Sequence, residues 1–360
     1  MQYKQPSRRL QSSELTSGQL RWQSPSNIAL VKYWGKFGRQ LPSNPSVSLT
    51  LEAAHTDTTM AYRPGRGGVE LLLDGDPQPD FARRTQKYFT SLAEELPWIA
   101  QFDFTVRTHN SFPHSAGIAS SASGMSALAL CLVDLERQLT KSPSDDTVFF
   151  RRASHLARLG SGSAGRSVYG GAAVWGKTSG LSQSDDEYAI PFSEELHPIF
   201  RGFHDAILLI SRSEKSVSSS AGHGLMEDNP YAPARFTQAR QRLNHLLPAL
   251  RAGDLETVGE ITEAEALTLH ALMMASAPPY LLLEPNTLTA IRRVQTWRKE
   301  TGHPLYFTLD AGPNLHLLYP DIIAEAAKTF IRSELLPLCQ EGRYIADRVG
   351  PGPVRVSMLE

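Results

Sequence analysis

Lys32 and Lys36 stand four residues apart beside Tyr33, Trp34 and Gly35, in the run Ser24-Pro25-Ser26-Asn27-Ile28-Ala29-Leu30-Val31-Lys32-Tyr33-Trp34-Gly35-Lys36. Two cations among aromatics can hold a polyphosphate, although solvated lysines give the same spacing. A second stretch, from Pro113-His114-Ser115-Ala116-Gly117 through Ser120, Ser121 and Ser123 to Gly124, consists almost wholly of small residues. Small side chains let a ligand approach the backbone closely. A helix beginning here would aim its free N–H groups and positive dipole end into the loop. The stretch therefore reads either as an anion site or as a capped helix start with a small packing face. It is not a Walker A loop, because no G-x-x-x-x-G-K-[ST] is present, and it is not a dinucleotide fingerprint. A third stretch, 160–167, sets Arg166 among Gly and Ser residues that include Ser161 and Ser163. One arginine in such a loop suits a bidentate grip on a carboxylate or phosphate, or is a solvated side chain on a turn. Asp310 precedes Ala311-Gly312-Pro313-Asn314 at the end of an apolar run. A general base or an orienting carboxylate would sit there, and so would a turn former.

These residues need strands and helices to bring them together. Strands are expected at 46–52 and 56–62, where β-branched and apolar residues collect. Another is expected at 69–73, followed by a hairpin turn at Asp74-Gly75. Phe102, Phe104 and Val106 alternate along 102–108 as on a half-buried strand. Met125, Leu128, Ala129, Leu132 and Leu135 have helical spacing and predict a helix over 121–138, so the small-residue loop leads from strand to helix. A second helix is expected at 147–159, stopping at Gly160. A strand starts in 170–175, and the acidic segment 179–191 reads as a surface connection near a domain boundary. Beyond it come strands at 206–211, 305–309 and 315–319, and helices at 236–250, 255–275 and 322–336. Hairpin signals mixed with helices indicate an α+β fold.

A chain of 360 residues suggests two domains or one large one, and 41% hydrophobic residues suffice for a core. A net charge of -1 gives no reason to expect nucleic acid or a membrane surface as partner, so an anionic ligand would need locally focused positive charge. Cys131 and Cys339 are too few for a disulfide framework or a zinc site, and Cys131 lies in an apolar run as a buried small hydrophobe would. Apolar runs such as 206–210 are too short for a transmembrane helix. Residues 1–20 are rich in Ser, Gln and Arg without an apolar stretch, which predicts a partly ordered extension and a cytoplasmic protein.

Pro113, Gly117, Ile118, Ser120, Ser121 and Ala122 fill the pattern P-x-x-x-G-L-x-S-S-A, so the second stretch resembles the phosphate loop of the GHMP kinase superfamily. With the other blocks the resemblance narrows to the diphosphomevalonate decarboxylase family. Its N-I-A-x-x-K-Y-W-G-K motif is present from Asn27 to Lys36, and L-P-x-N-x-S-x-S appears as Leu41, Pro42, Asn44, Ser46 and Ser48. N-x-F-P appears as Asn110, Phe112 and Pro113, and G-S-G-S-A-x-R-S runs from Gly160 to Ser167, ahead of Tyr169-Gly170-Gly171. Val217-Ser218-Ser219, Asp310 to Asn314, and Val349 to Pro353 complete the match, which spans about residues 21 to 355. His114 and Ser115 replace the usual T-A pair, Ile118 replaces Leu, and Gly165 stands where Cys is common.

The resemblance implies a ribosomal-S5-like N-terminal domain over 21–192 and a ferredoxin-like C-terminal domain over 193–360, with the active site in the cleft between them. It also implies that ATP phosphorylates the 3-hydroxyl of 5-diphosphomevalonate, after which phosphate and CO2 leave. Asp310 matches the family's essential aspartate, Lys32 the lysine beside it, and Arg166 the arginine that grips the substrate carboxylate. Tyr33, Lys36, Arg84, Ser161 and Ser163 match substrate contacts. Asn110, Ser115, Gly117, Ser120, Ser121 and Ser123 are expected to hold ATP. Mg2+ would arrive with the nucleotide and needs no protein ligand set. A homodimer is expected. The competing readings are a 5-phosphomevalonate decarboxylase, a GHMP small-molecule kinase that does not decarboxylate, and a silent binding protein on the same fold.

Overall fold

The computed structural model describes residues 7–112, 120–141, 145–211, 217 and 219–357, which form two sheets with helices packed on them. The first sheet is built on two long antiparallel strands, β1 (Gly18–Val31) and β4 (Ser46–Pro64). Between them in sequence lies a small hairpin, β2 (Lys36–Phe37) with β3 (Leu41–Pro42). Strands β5 (Val69–Leu73) and β6 (Asp76–Pro77) pair across Asp74-Gly75, both at positive φ (54° and 91°), as a type I′ turn requires. Helix α1 (Pro79–Ser91) crosses over to β7 (Phe102–Asn110), parallel to β5 and antiparallel to β4. Helices α2 (Ser120–Thr140) and α3 (Asp146–Gly160) follow, then β8 (Ala172–Trp175) and β9 (Ala189–Pro191).

The second sheet has the order β11-β12-β10-β13, formed by β10 (His204–Leu208), β11 (Tyr306–Thr308), β12 (Leu315–Tyr319) and β13 (Tyr344–Arg348), all antiparallel. Its part of the chain supplies helices α4 (Ser219–Gly224), α5 (Ala232–Ala252), α6 (Leu255–Met274), α7 (Pro285–Thr301) and α8 (Ala324–Phe330). The fold is α+β. The last strand, β14 (Val354–Arg355), returns to the first sheet and pairs with β1 at Trp22 and Gln23. A cut at 192/193 therefore does not hold at the tail. No helix among the described residues is long and apolar enough to cross a membrane.

Several elements differ from the sequence reading for identifiable reasons. The strands expected at 46–52 and 56–62 are one bent strand, β4. At its bend the N–H groups of Glu52, Ala53 and Ala54 donate to the Asp347 carboxylate at 2.7–2.9 Å, so β13 holds the turn that would otherwise break the strand. The segment 179–191 is not all surface connection: it ends in β9, with Leu181, Tyr188 and Ile190 buried. Helices α1 and α7 were not anticipated, although each begins at a proline and α7 ends at Gly302 in the left-handed conformation. Within the N-terminal extension, the described residues from Ser7 onward are held to the first sheet's side of the protein. Leu10 is buried, its N–H and C=O both bound by the Gln101 amide at 2.9 Å, and β1 has begun by Gly18.

Two apolar clusters explain why β1 starts with alternating burial and ends buried on both faces. One packs the first sheet against α2 and α3, with Phe102, Phe104, Leu130 and Leu132 at its heart. The other joins Ile28, Leu30, Val47 and Leu49 to Leu243, Leu246 and Leu247 of α5 and to Ile207 of the second sheet. The far end of β1 is thus covered by α5 and the second sheet.

Candidate active site

Lys32 follows directly on β1 and is held by its backbone. Its N–H donates to Glu265 Oε2 at 2.9 Å, and its C=O accepts from Asn44 Nδ2 (3.0 Å) and an Arg235 Nη (3.3 Å). Glu265 is fully buried on α6 and takes two bonds from Arg235 (2.6 and 2.5 Å) and one from Arg242 (2.9 Å). Burial alone would push its carboxyl up, but these arginines and the Lys32 N–H more than offset that and hold it low. With its backbone tied on both sides, Lys32 sends a buried ammonium to Asp310 Oδ1 at 2.9 Å. Asp310 lies two residues past β11, and His270 Nε2 donates to its carbonyl at 3.1 Å.

Arg166 ends a short 3-10 turn, Gly162–Arg166, that begins where α3 stops. The turn needs glycine at 162, since a Cβ there would lie 2.7 Å from Tyr33 Oη. Arg166 is buried and, among the described residues, hydrogen-bonded by neutral oxygens only: Ser48 Oγ (3.0 Å), Ser46 Oγ (2.6 Å) and Asn27 Oδ1 (3.3 Å). Ser46 and Ser48 are two apart on β4 and so share a face. Burial draws the guanidinium down to about 10, partly countered by the charge of Asp310, so it remains protonated.

Lys32, Tyr33, Lys36, Ser161, Ser163, Arg166 and Asp310 all line one cavity of about 780 Å³. Leu71, Phe81, Val106, Met125 and Leu128 add apolar wall to the same cavity. Arg84 is exposed on its lining, 5.7 Å from the Phe81 ring. Ser120 and Ser121 stand in the first turn of α2, and the Ser121 and Ser161 hydroxyls approach to 3.5 Å, joining the two small-residue stretches. Asn110 also lines the cavity, while its Oδ1 accepts from Thr56 Oγ1 at 2.7 Å. Ser115 and Gly117 fall outside the described residues. Ser123 corrects the expectation. It is fully buried, bonded to Thr56 Oγ1 at 2.6 Å and to the Ser120 carbonyl at 3.3 Å, because the helix turn presents Ser120, Ser121 and Gly124 to the cavity and turns Ser123 into the protein.

The sequence reading missed three parts of this site. Glu265 and Arg235 are distant in sequence from the lysine they hold. The Ser46 and Ser48 contact to Arg166 left a trace, a same-face pair on a predicted strand. His223, on α4, left none. Its ring lies 4.4 Å from Tyr33 and 4.6 Å from Trp34, and its Nδ1 accepts the Gly35 N–H at 3.0 Å. Burial, then the charge of Lys36, holds the imidazole down to about 3, so it is neutral near pH 7.

Asp310 is the one carboxylate among the described lining residues, and no three His, Cys, Asp or Glu side chains among the described residues group as a metal cage. One carboxylate with the Ser120 and Ser121 hydroxyls fits a hard cation carried on a ligand's phosphates.

Comparison with known proteins agrees along the chain. The family described as diphosphomevalonate decarboxylase-like N-terminal domain matches residues 24–188, and the mevalonate 5-diphosphate decarboxylase C-terminal domain matches 206–345. The chain is 31% identical to the diphosphomevalonate decarboxylase of Gibberella zeae, over 92% of this chain and 95% of that one. It is 30% identical to that of Saccharomyces cerevisiae, over 82% and 76%. Among solved structures, the mevalonate diphosphate decarboxylase of Staphylococcus aureus superposes with a TM-score of 0.81 at 28% identity, covering 95% of this chain and 99% of that one. A complex of MDDEF with MVAPP, AMPPCP and magnesium superposes with 0.80 at 30% identity, covering 95% and 100%.

Proposed function

The chain belongs to the diphosphomevalonate decarboxylase family, and from that premise we propose that it converts 5-diphosphomevalonate and ATP to isopentenyl diphosphate, ADP, phosphate and CO2. The ion pair of Lys32 with Asp310, on the same cavity as an Arg166 hydrogen-bonded, among the described residues, only by neutral oxygens, is the observation that carries this reading. The complex of a structural relative with MVAPP, AMPPCP and magnesium supports the same ligands here.

The apolar wall of the cavity suits a nucleotide base, and the first turn of α2 suits its phosphates, with Ser120 and Ser121 as donors. Mg2+ bound with ATP neutralises phosphate charge, and this chain offers it the same two hydroxyls and Asp310. Asp310 orients the tertiary 3-hydroxyl and takes its proton as the oxygen attacks the terminal phosphorus of ATP. Lys32 pairs with Asp310 at 2.9 Å and sets positive charge beside the reacting phosphoryl group. Arg166 has five N–H donors, of which three are bound, leaving two for the substrate carboxylate. Tyr33, Lys36, Arg84, Ser161 and Ser163 hold the phosphorylated end.

With the 3-oxygen phosphorylated, a poor leaving group has become a good one. The carboxylate carbon leaves as CO2, the electrons of that carbon–carbon bond form the new double bond, and the C3–O bond breaks to release phosphate. Holding the carboxylate in line with the leaving group lets the bonds change together.

Following ADP and CO2 together with 5-diphosphomevalonate, and with 5-phosphomevalonate, tests the reading. Matched ADP and CO2 from the diphosphate are expected, both falling at least ~100-fold in Asp310→Ala. ADP without CO2 would make the chain a kinase, and turnover of the monophosphate alone would make it the sibling decarboxylase. A homodimer is carried over from the family resemblance; light scattering on the purified protein tests it.

A further inference from the structure

Two neutral hydrogen-bond donors belong to one aromatic cluster on this cavity, Tyr33 Oη and the imidazole of His223. Tyr33 Oη is enclosed and has no partner among the described residues, and burial holds its hydroxyl protonated. Against the same ring, at 4.4 Å, lies the imidazole of His223. Its Nδ1 is occupied as acceptor of the Gly35 N–H at 3.0 Å. A neutral imidazole with Nδ1 accepting carries its proton on Nε2. Trp34 packs on the ring as well, at 4.6 Å and tilted by 34°, so its orientation is held by two ring contacts and a hydrogen bond. His223 and Lys36 both line the cavity, close enough that the lysine charge helps keep the imidazole neutral. Folded chains pair their buried donors, and the Tyr33 hydroxyl, without a partner among the described residues, needs a reason. Two neutral donors beside a lysine are what a multiply charged oxyanion would complete.

We infer that His223 is a substrate-contacting residue, its Nε2–H donating to the diphosphate of 5-diphosphomevalonate beside Lys36 and Tyr33. The inference rests on the substrate proposed above. His223 adds a directed donor and no charge, while Lys36 adds charge with little direction. Its second nitrogen ties that donor to the Lys32–Lys36 run through Gly35, so one ring sets both the bend of the motif and the position of the anion.

Two amide substitutions separate the nitrogens. In His223→Asn the side-chain oxygen stands near the place of Nδ1 and can still accept from Gly35, with no donor further out. In His223→Gln the amide N–H reaches toward the place of Nε2. Calorimetric titration with 5-diphosphomevalonate alone is expected to give a Kd about 10-fold or more weaker for Asn and within about threefold of wild type for Gln, the size of one hydrogen bond to a charged group. Inorganic pyrophosphate, as competitor, should lose the same factor in Ki for the Asn variant. The reverse order would mean that the ring only pins Gly35 and would overturn the inference. Equal effects in both variants, or an unchanged pyrophosphate Ki, would overturn it too. If wild type binds the diphosphate but yields no ADP or CO2, the reaction proposed above fails, while the order of the Kd values still decides the role of His223.

Discussion

Arg166 is a cation removed from water and given hydroxyl and amide oxygens where a carboxylate would be the usual partner. A carboxylate would fill its bonding fork and cancel its charge; Ser46, Ser48 and Asn27 orient it and leave charge and two N–H groups unspent. Asp310 is differently placed. It is partly exposed, paired with a buried Lys32, and open to whatever enters the cavity. His223 is buried uncharged, which gives stability a pH dependence of known sign. Its folded value, about 3, lies below the ordinary imidazole value near 6.5, so the unfolded chain binds the extra proton between them. The contribution is complete above about pH 6.5 and is lost as pH falls toward 3. Urea denaturation from pH 7 to 4 should therefore show wild type losing up to about 1.4 kcal/mol per pH unit more than His223→Asn. Parallel slopes for the two proteins would mean that the imidazole is not held uncharged.

At the scale of elements, the site depends on where β1 ends. The strand's hydrogen bonds to β4 stop at Val31, and the next residue hands its N–H to Glu265 of α6 and its C=O to Arg235 of α5. Two helices of the second half of the chain thereby complete a strand of the first half, and the buried Glu265–Arg235 pair is the joint. Removing one partner of such a pair leaves the other charge buried and alone. Glu265→Ala should cost about 3–5 kcal/mol in urea denaturation, whereas Glu265→Gln, which keeps an acceptor for the Lys32 N–H, should cost less. Equal stability of Glu265→Ala and wild type would show that Lys32 is positioned by something else.

Across the whole molecule, the two sheets share interior. Leu246 and Leu247 of α5 pack in the cluster that includes Ile28 and Leu49 of the first sheet and Ile207 of the second. Asp347 fastens the bend of β4, and β14 crosses back to β1. Such shared contacts make separate unfolding unfavourable. Leu247→Ala should lower stability by about 2–5 kcal/mol and move the near-ultraviolet and far-ultraviolet denaturation midpoints together. Midpoints that separate would mean that the halves fold independently.

The sequence by itself determined the α+β class, the helix expected over 121–138, the small-residue stretch that carries Arg166, and the motif blocks that place the chain in its family. Each of these is written in local periods, in glycines at sites that admit no side chain, or in short motifs. Tertiary structure alone decided the rest. Ser123 lies within an anion-loop pattern, yet the helix turn buries it against Thr56. The bend of β4 rests on a carboxylate nearly three hundred residues away, and Lys32 on a glutamate more than two hundred away. His223 became part of the site only when α4 packed onto the Tyr33–Trp34 pair. The physical reason is the range of the forces. Backbone periodicity and turn strain act within a few residues and leave marks in the sequence, whereas burial and hydrogen-bond satisfaction act between whatever surfaces the fold brings together.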